Sequence, residues 1–510
     1  MSTLTLGIVV IIYMFILAWL GYIGYKQTKN ASDYLLGGRK VNPVIMALSY
    51  GATFISASAI VGFEGVAATF GMGIQWLCLL NMFMGVVIAF IIFGRNTRKL
   101  GEKYNARTFP QLLGLHYNSR AIQIFIAAII FIGMPLYAAV VMKGGAVFIE
   151  QMFHIDLHLA LLIFTLIVAA YVITGGIKGV LYTDALQAVI MFACMLFLLF
   201  WFYRVMDTGF IEANRKLTEI APLVPERFKE VGHQGWTAMP VTGSPQWYTL
   251  VTSLILGVGI GCLAQPQLVV RFMMVESTKQ LNRGVLIGCV FLIVTVGAIY
   301  HVGALSNLFF LKTEGVVASE AIKDMDKIIP LFIDRAMPEW FSAVFMLCIL
   351  SASMSTLSAQ FHTMGASFGA DIFPKLGHRK NANSTMGVRI GVLCSILVSY
   401  IICYTLSAGV IARGTALFMG ICAATFLPAY FCSLFWKKAT KEGALASLFA
   451  MLFLHKAEAG AVGLCNMLSG RDVLIDIYPW FAIDPILFAL PLSTVAMVLT
   501  SLITYKKQEI

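Results

Sequence analysis

Long apolar runs alternate with short polar connections along this chain, and the runs are of membrane length. Eighteen or more apolar positions in sequence match the hydrocarbon thickness of a bilayer rather than the face of a soluble helix. About thirteen spans are read, near 4–25, 43–69, 74–94, 121–148, 157–175, 180–204, 247–270, 284–306, 338–366, 388–408, 412–436, 442–468 and 484–504. The expected fold is an all-α polytopic membrane protein. The spans at 412–436 and 442–468 are the weakest, the second because it contains His455, Lys456 and Glu458.

Two runs break the apolar rule in the same way. One reads Ala47 to Gly62 and carries Ser49, Thr53, Ser56 and Ser58; the other reads Ser351 to Ser358 and carries Ser353, Ser355 and Thr356. Glycine and other small residues let a membrane helix unwind, and the carbonyls so released are hard oxygen ligands. Hydroxyls on a facing helix complete a cage for a small cation such as sodium. The pattern predicts a coupled transporter.

Composition agrees and removes other classes. The chain is 59% hydrophobic and 12% charged, with a mean hydropathy of +0.85. Its net charge of +11 is not a nucleic-acid patch, because the basic residues gather in alternate connections. Lys26, Arg39, Arg95, Arg98, Lys99, Lys103, Lys178, Arg271, Lys279, Arg283, Arg379, Lys380, Lys437, Lys438, Lys506 and Lys507 all fall on one side. The positive-inside rule then places the N-terminus outside and the C-terminus in the cytoplasm. The first run lacks the basic start and cleavage site of a signal peptide. The ten cysteines show no metal-ligand spacing. No phosphate-binding glycine loop is present, so an ATP-driven mechanism and an enzyme are not expected.

Single polar residues inside the spans are functional candidates by cost alone. Asp184 follows a glycine-rich turn and is read either as a functional carboxylate or as a salt bridge or helix cap at the cytoplasmic end, with Lys178 the partner in sequence. Lys143 lies within a span, with Glu150 on a shared helical face; it either snorkels or faces an anionic solute. His301 and His362 are expected to satisfy neighbouring polar groups. Glu64 is read as a gate or a solvated carboxylate near the outer end of its span.

Five stretches then carry a resemblance: Asp33-Tyr-Leu-Leu-Gly-Gly-Arg39, Ala47 to Gly62, Gly175 to Gln187, Gln265-Pro-Gln-Leu-Val-Val-Arg-Phe272 and Met354-Ser-Thr-Leu-Ser358. In this order they resemble the sodium/solute symporter family, which includes proline, pantothenate, sugar and monocarboxylate carriers. The resemblance implies one transporter domain over 1–510 with a LeuT-like core of five plus five inverted helices. An extra helix lies at 1–25, the first repeat at 42–206, the second at 246–436 and peripheral helices at 442–510. It implies a sodium site at the carbonyls of Ala52, Ile55 and Ala352 and the hydroxyls of Ser355 and Thr356. It also implies a sodium exit route or second sodium site at Asp184 and Ser358, although Ala359 stands where some members carry a further hydroxyl.

For the solute, the resemblance points to Ser56, Ser58, Asn81, Tyr137, Lys143 and Gln265. Ala59 and Ser58 stand where sugar carriers place glutamine and proline carriers an aromatic. Val258 and Cys262 likewise replace aromatics of proline carriers. The run Ala52 to Ser58 is nearest to pantothenate carriers, so the expected partners are sodium, a small anionic solute and the lipid bilayer, with no other cofactor. Proline-like amino acids or polyols are the alternative solutes, and a membrane sensor is the alternative class. The expected location is the plasma membrane, of a prokaryotic inner-membrane kind.

Overall fold

The computed structural model describes residues 3–28, 31–376, 385–407, 409–456 and 483–505. The last twelve positions of the expected span 442–468 lie outside the described residues, as do Arg379, Lys380, Lys506 and Lys507. Among the described residues every regular element is helical. Among the described residues ten helices are long and apolar enough to cross a membrane, and one bent pair makes an eleventh.

The membrane helices are α1 (Thr3–Lys26), the bent pair α2 (Pro43–Phe54) and α3 (Ser58–Phe70), α4 (Met72–Lys103), α5 (Arg120–Phe153), α6 (Leu157–Ala170) and α7 (Gly176–Met206). There follow α8 (Pro245–Ala264), α9 (Pro266–Phe272), α10 (Thr278–Glu314), α11 (Met325–Ala336), α12 (Glu339–Ile372), α13 (Met386–Thr405), α14 (Ile411–Phe435), α15 (Lys441–Lys456) and α16 (Ile486–Thr504). Helices α6, α9, α11 and α15 are not among these spans; α11 lies in the long connection between α10 and α12.

Local chemistry sets where these helices start. Asn42 accepts from the Val44 amide at 2.9 Å with Pro43 in the first turn, Asp156 accepts from His158 at 2.8 Å, and Ser119 and Ser277 accept from Ile122 and Gln280. Each supplies an acceptor to amides the helix itself cannot satisfy. Between α6 and α7 the chain kinks at Gly176, whose φ of 56° favours glycine.

Burial assigns the layers. Of the α12 window 89% is buried, against 22% for α1 and 28% for α16, so α12 is the axis and the other two face lipid. Around α12 pack α2, α5, α7 and α13, while α3 packs on α10 and α11. Two spans are interrupted, and both breaks lie against this central group. The α2–α3 pair bends by 53°; α8 gives way to α9 at Gln265, held extended at ψ 119° by the proline that follows.

Candidate functional site

The first break exists because its residues are small and polar. Ile55 is extended (φ −92°, ψ 107°) and its amide closes back onto the Gly51 carbonyl at 3.0 Å. Helix α12 meets the end of α2 with hydroxyls. Ser355 Oγ donates to the Ala52 carbonyl at 2.9 Å and lies 3.2 Å from that of Ala352. Thr356 Oγ1 donates to the Thr53 carbonyl at 3.1 Å, and Thr53 Oγ1 donates in return to the Ser355 carbonyl at 3.4 Å. All these residues are buried.

The structure thus brings Ala52, Ala352, Ser355 and Thr356 together and adds Thr53, which sequence reasoning did not single out. Ile55 forms the break itself. The group offers neutral hard oxygens from two helices, a set suited to a desolvated monovalent cation rather than to calcium, which favours carboxylates. Ser358 donates to the Ser355 carbonyl at 3.0 Å, one turn along α12.

Asp184 is fully buried on α7, and its partner is not Lys178. Arg271 of α9 donates to Asp184 Oδ2 at 2.9 Å, and Ser49 donates to the same oxygen at 2.7 Å. Thr53 Oγ1 lies 3.3 Å from it, and Arg271 also reaches Ser49, Thr53 and the Gln267 carbonyl. Asp184 Oδ1 has no hydrogen-bond partner among the described residues. Lys178 instead pairs with Asp33 at 2.9 Å. Arg271 was expected in a cytoplasmic connection; it is 1% exposed. The signal was present in the stretch Gln265 to Phe272, where one arginine follows an apolar turn. Thr53 joins this network to the oxygens gathered at the first break.

A second cluster lies between the two breaks. Tyr137 of α5 places its hydroxyl near the side chains of Ser56 and Gln265 and stacks on Phe418 of α14, ring centroids 5.2 Å apart. Gln265 Nε2 also approaches Met419 Sδ at 2.8 Å. Ser58 Oγ and Asn81 Oδ1 are buried with no partner among the described residues. Cys262 packs at Gly85 beside Phe54. Three expected solute residues therefore meet, and two more are left with unused polar atoms.

Lys143 is placed apart from this cluster. Its ammonium donates to the carbonyls of Leu406, at 2.8 Å, and Ser407, where α13 ends. Asp326 at the start of α11 lies beside it, near the Gly409 and Ile411 amides; burial, with Asp324 adding to it, pushes this carboxyl up to about 7. Glu150, expected to share Lys143's face, pairs with Lys327 at 3.0 Å. His301 bonds Tyr203 at 2.7 Å and His362 the Tyr34 carbonyl at 3.1 Å. Glu64, one of the two roles read for it being a solvated carboxylate, is fully buried.

Residues 34–450 match the model of the Sodium:solute symporter family. The chain is 27% identical over 471 residues to the high-affinity proline transporter PutP of Bacillus subtilis (strain 168), covering 91% of this chain and 92% of that protein. It is 26% identical over 459 residues to the sodium/pantothenate symporter of Haemophilus influenzae, covering 87% and 89%. Its fold superposes on a Na+-coupled sialic acid symporter in the substrate-bound outward-open state with a TM-score of 0.77 at 16% identity, covering 99% of each chain. The closed nucleobase-cation-symport-1 transporter MHP1 follows at 0.55 and 13% identity, covering 93% and 96%.

Proposed function

Because the chain belongs to the sodium:solute symporter family, we propose that it imports a small organic solute bearing a carboxylate, coupled to sodium, by alternating access. One observation carries this reading: Ser355 and Thr356 of α12 reach the Ala52 and Thr53 carbonyls at the broken span. A sodium ion held by Ala52, Ile55, Ala352, Ser355 and Thr356 would tie α12 to the break, and its departure would release the two. The first repeat, 42–206, and the second, 246–436, each open on a broken span, which supports the inverted-repeat reading. The peripheral helices and α1 flank them.

The solute sits between the breaks. Ser56, Tyr137 and Gln265 meet there, and Ser58 and Asn81 add donors and acceptors. The first turn of α3 presents amides and a helix dipole to an anionic group. The named relatives transport proline and pantothenate, and the structural neighbour sialic acid; all three solutes carry a carboxylate. Lys143 serves to pin the 406–411 connection rather than to meet the solute. Asp184, Ser358 and Thr53 form the exit route toward the side with the clustered basic residues, which is the cytoplasm if the N-terminus faces out. Arg271 already neutralises Asp184, so the route reading is favoured over a second sodium there.

Stoichiometry follows from charge. One net positive charge moving inward gains about 2.3 kcal/mol at 100 mV, whereas a monocarboxylate moving with one sodium moves none. Uptake of labelled proline, pantothenate and lactate into proteoliposomes tests the whole reading. Accumulation that needs an inward sodium gradient supports it, and equal uptake of all three without sodium would reject it. A sensor would bind solute and never accumulate it.

A further inference from the structure

Nothing in the sodium or solute site uses Glu64. It lies at the middle of α3, 0% exposed, and neither carboxylate oxygen has a hydrogen-bond partner among the described residues. The helix packing makes room for it. At Gly303 of α10 an added Cβ would stand 2.8 Å from Glu64 Cγ and 2.6 Å from its carbonyl oxygen. Only a residue without a side chain lets the carboxyl stem pass there. At the next residue, Gly65, an added Cβ would meet the Met325 carbonyl oxygen at 2.3 Å, so α11 closes over the same turn.

The surroundings decide what the carboxyl can hold. The titratable side chains that interact with it are Cys348 of α12, Cys194 of α7 and Tyr300 of α10. Four other charged or titratable groups on nearby elements are engaged elsewhere. Lys327 pairs with Glu150, Asp326 faces Lys143, His301 bonds Tyr203, and Glu320 pairs with Arg227. Among the described residues no cation interacts with Glu64. A bare carboxylate in such a place costs several kcal/mol. Sodium needs a shell of about five or six hard oxygens, whereas two thiols and a phenol are soft or sparse ligands. A proton needs one oxygen.

We propose that Glu64 is a proton-binding site: the closed packing of α3 on α10, α11 and α12 holds it as the neutral acid, and opening of that packing releases the proton. Its place in a transport cycle rests on the symport reading above, but the protonation itself does not. In that cycle the site makes closure of the outer half demand a proton.

The test is infrared spectroscopy of the purified full chain in nanodiscs at mildly alkaline pH, without sodium or solute. The wild type is expected to show the carbonyl band of a buried protonated carboxyl, lost in Glu64→Gln. Wild-type and variant spectra without that difference would overturn the proposal. Should Glu64→Gln not fold, wild-type protein labelled with 13C-glutamate decides. Glu64 is the one buried glutamate among the described residues, so a protonated band shifted by the label supports the site and its absence rejects it. A positive spectrum with no sodium-driven uptake would leave the proton site standing and remove the symport reading alone.

Discussion

Arg271 and Asp184, on helices α9 and α7, form an ion pair at 2.9 Å with both side chains withdrawn from solvent, at 1% and 0% exposure. It ties the segment after the second break to α7, and through Ser49 and Thr53 it reaches the first break as well. Two charges so deep stay because each neutralises the other.

Removing one partner should therefore cost far more than removing both. Arg271→Met leaves a buried carboxylate with only hydroxyl donors and is expected to destabilise the fold by about 3–5 kcal/mol. The double variant Arg271→Met with Asp184→Asn should recover much of that. Thermal unfolding in detergent measures both, and additive losses would show that the pair is not coupled.

Thr356→Ala deletes one hydroxyl of the proposed sodium cage. Sodium affinity is expected to fall at least tenfold, which corresponds to about 1.4 kcal/mol, with little loss of thermal stability. Sodium titration of solute binding reads it, and wild-type affinity would remove Thr356 from the cage.

Tyr137→Phe keeps the ring stacked on Phe418 and loses the hydroxyl shared with Ser56 and Gln265. Solute affinity should drop by roughly tenfold while sodium affinity stays put. A variant with unchanged solute binding would move the pocket elsewhere.

Lys143→Met frees the carbonyls of Leu406 and Ser407. We expect a lower melting temperature and a Michaelis constant for the carboxylate solute close to that of the wild type. A selective loss of anionic solutes in a stable protein would restore Lys143 to the solute site.

Asp326 gives a pH signature. Its carboxyl is pushed by burial from the usual range near 4 up to about 7, so the folded protein binds the proton more tightly than the unfolded chain. Stability from this group is full below about pH 4 and declines as pH rises toward 7. Asp326→Asn should flatten that part of the stability–pH curve, which thermal melts across the window would show. An identical slope in both proteins would count against the burial of this carboxyl.

The spans were legible because hydropathy over eighteen positions is a strong signal. The meeting of the two polar stretches was legible because hydroxyls in an apolar helix stand out. Arg271 was not, since a basic residue at the end of a span looks the same whether it snorkels to water or turns inward. Its partner lies 87 residues away. Lys143 could be seen as an unusual cation, but its acceptors are backbone carbonyls 263 and 264 residues on, and carbonyls leave no mark in a sequence. The depth of Glu64 hid for a similar reason, because the notch that receives it is a glycine on another helix.

The lipid-facing helix α1 bears on how the molecule is made. Tyr13 shares a hydrogen bond of 2.9 Å with Ser351 and accepts one of 3.1 Å from Gln187, while a Cβ at Gly24 would stand 2.3 Å from the Gly179 amide nitrogen. A ribosome adding about 5–20 residues per second delivers Ser351 tens of seconds after Tyr13. Until then α1 carries a phenol without its final neighbours. Its seat on α7 is available midway through synthesis, and its seal against α12 comes late. A segment translated well before α12 is thus completed only after it, and biogenesis of the protein should stall in chains cut short before residue 351.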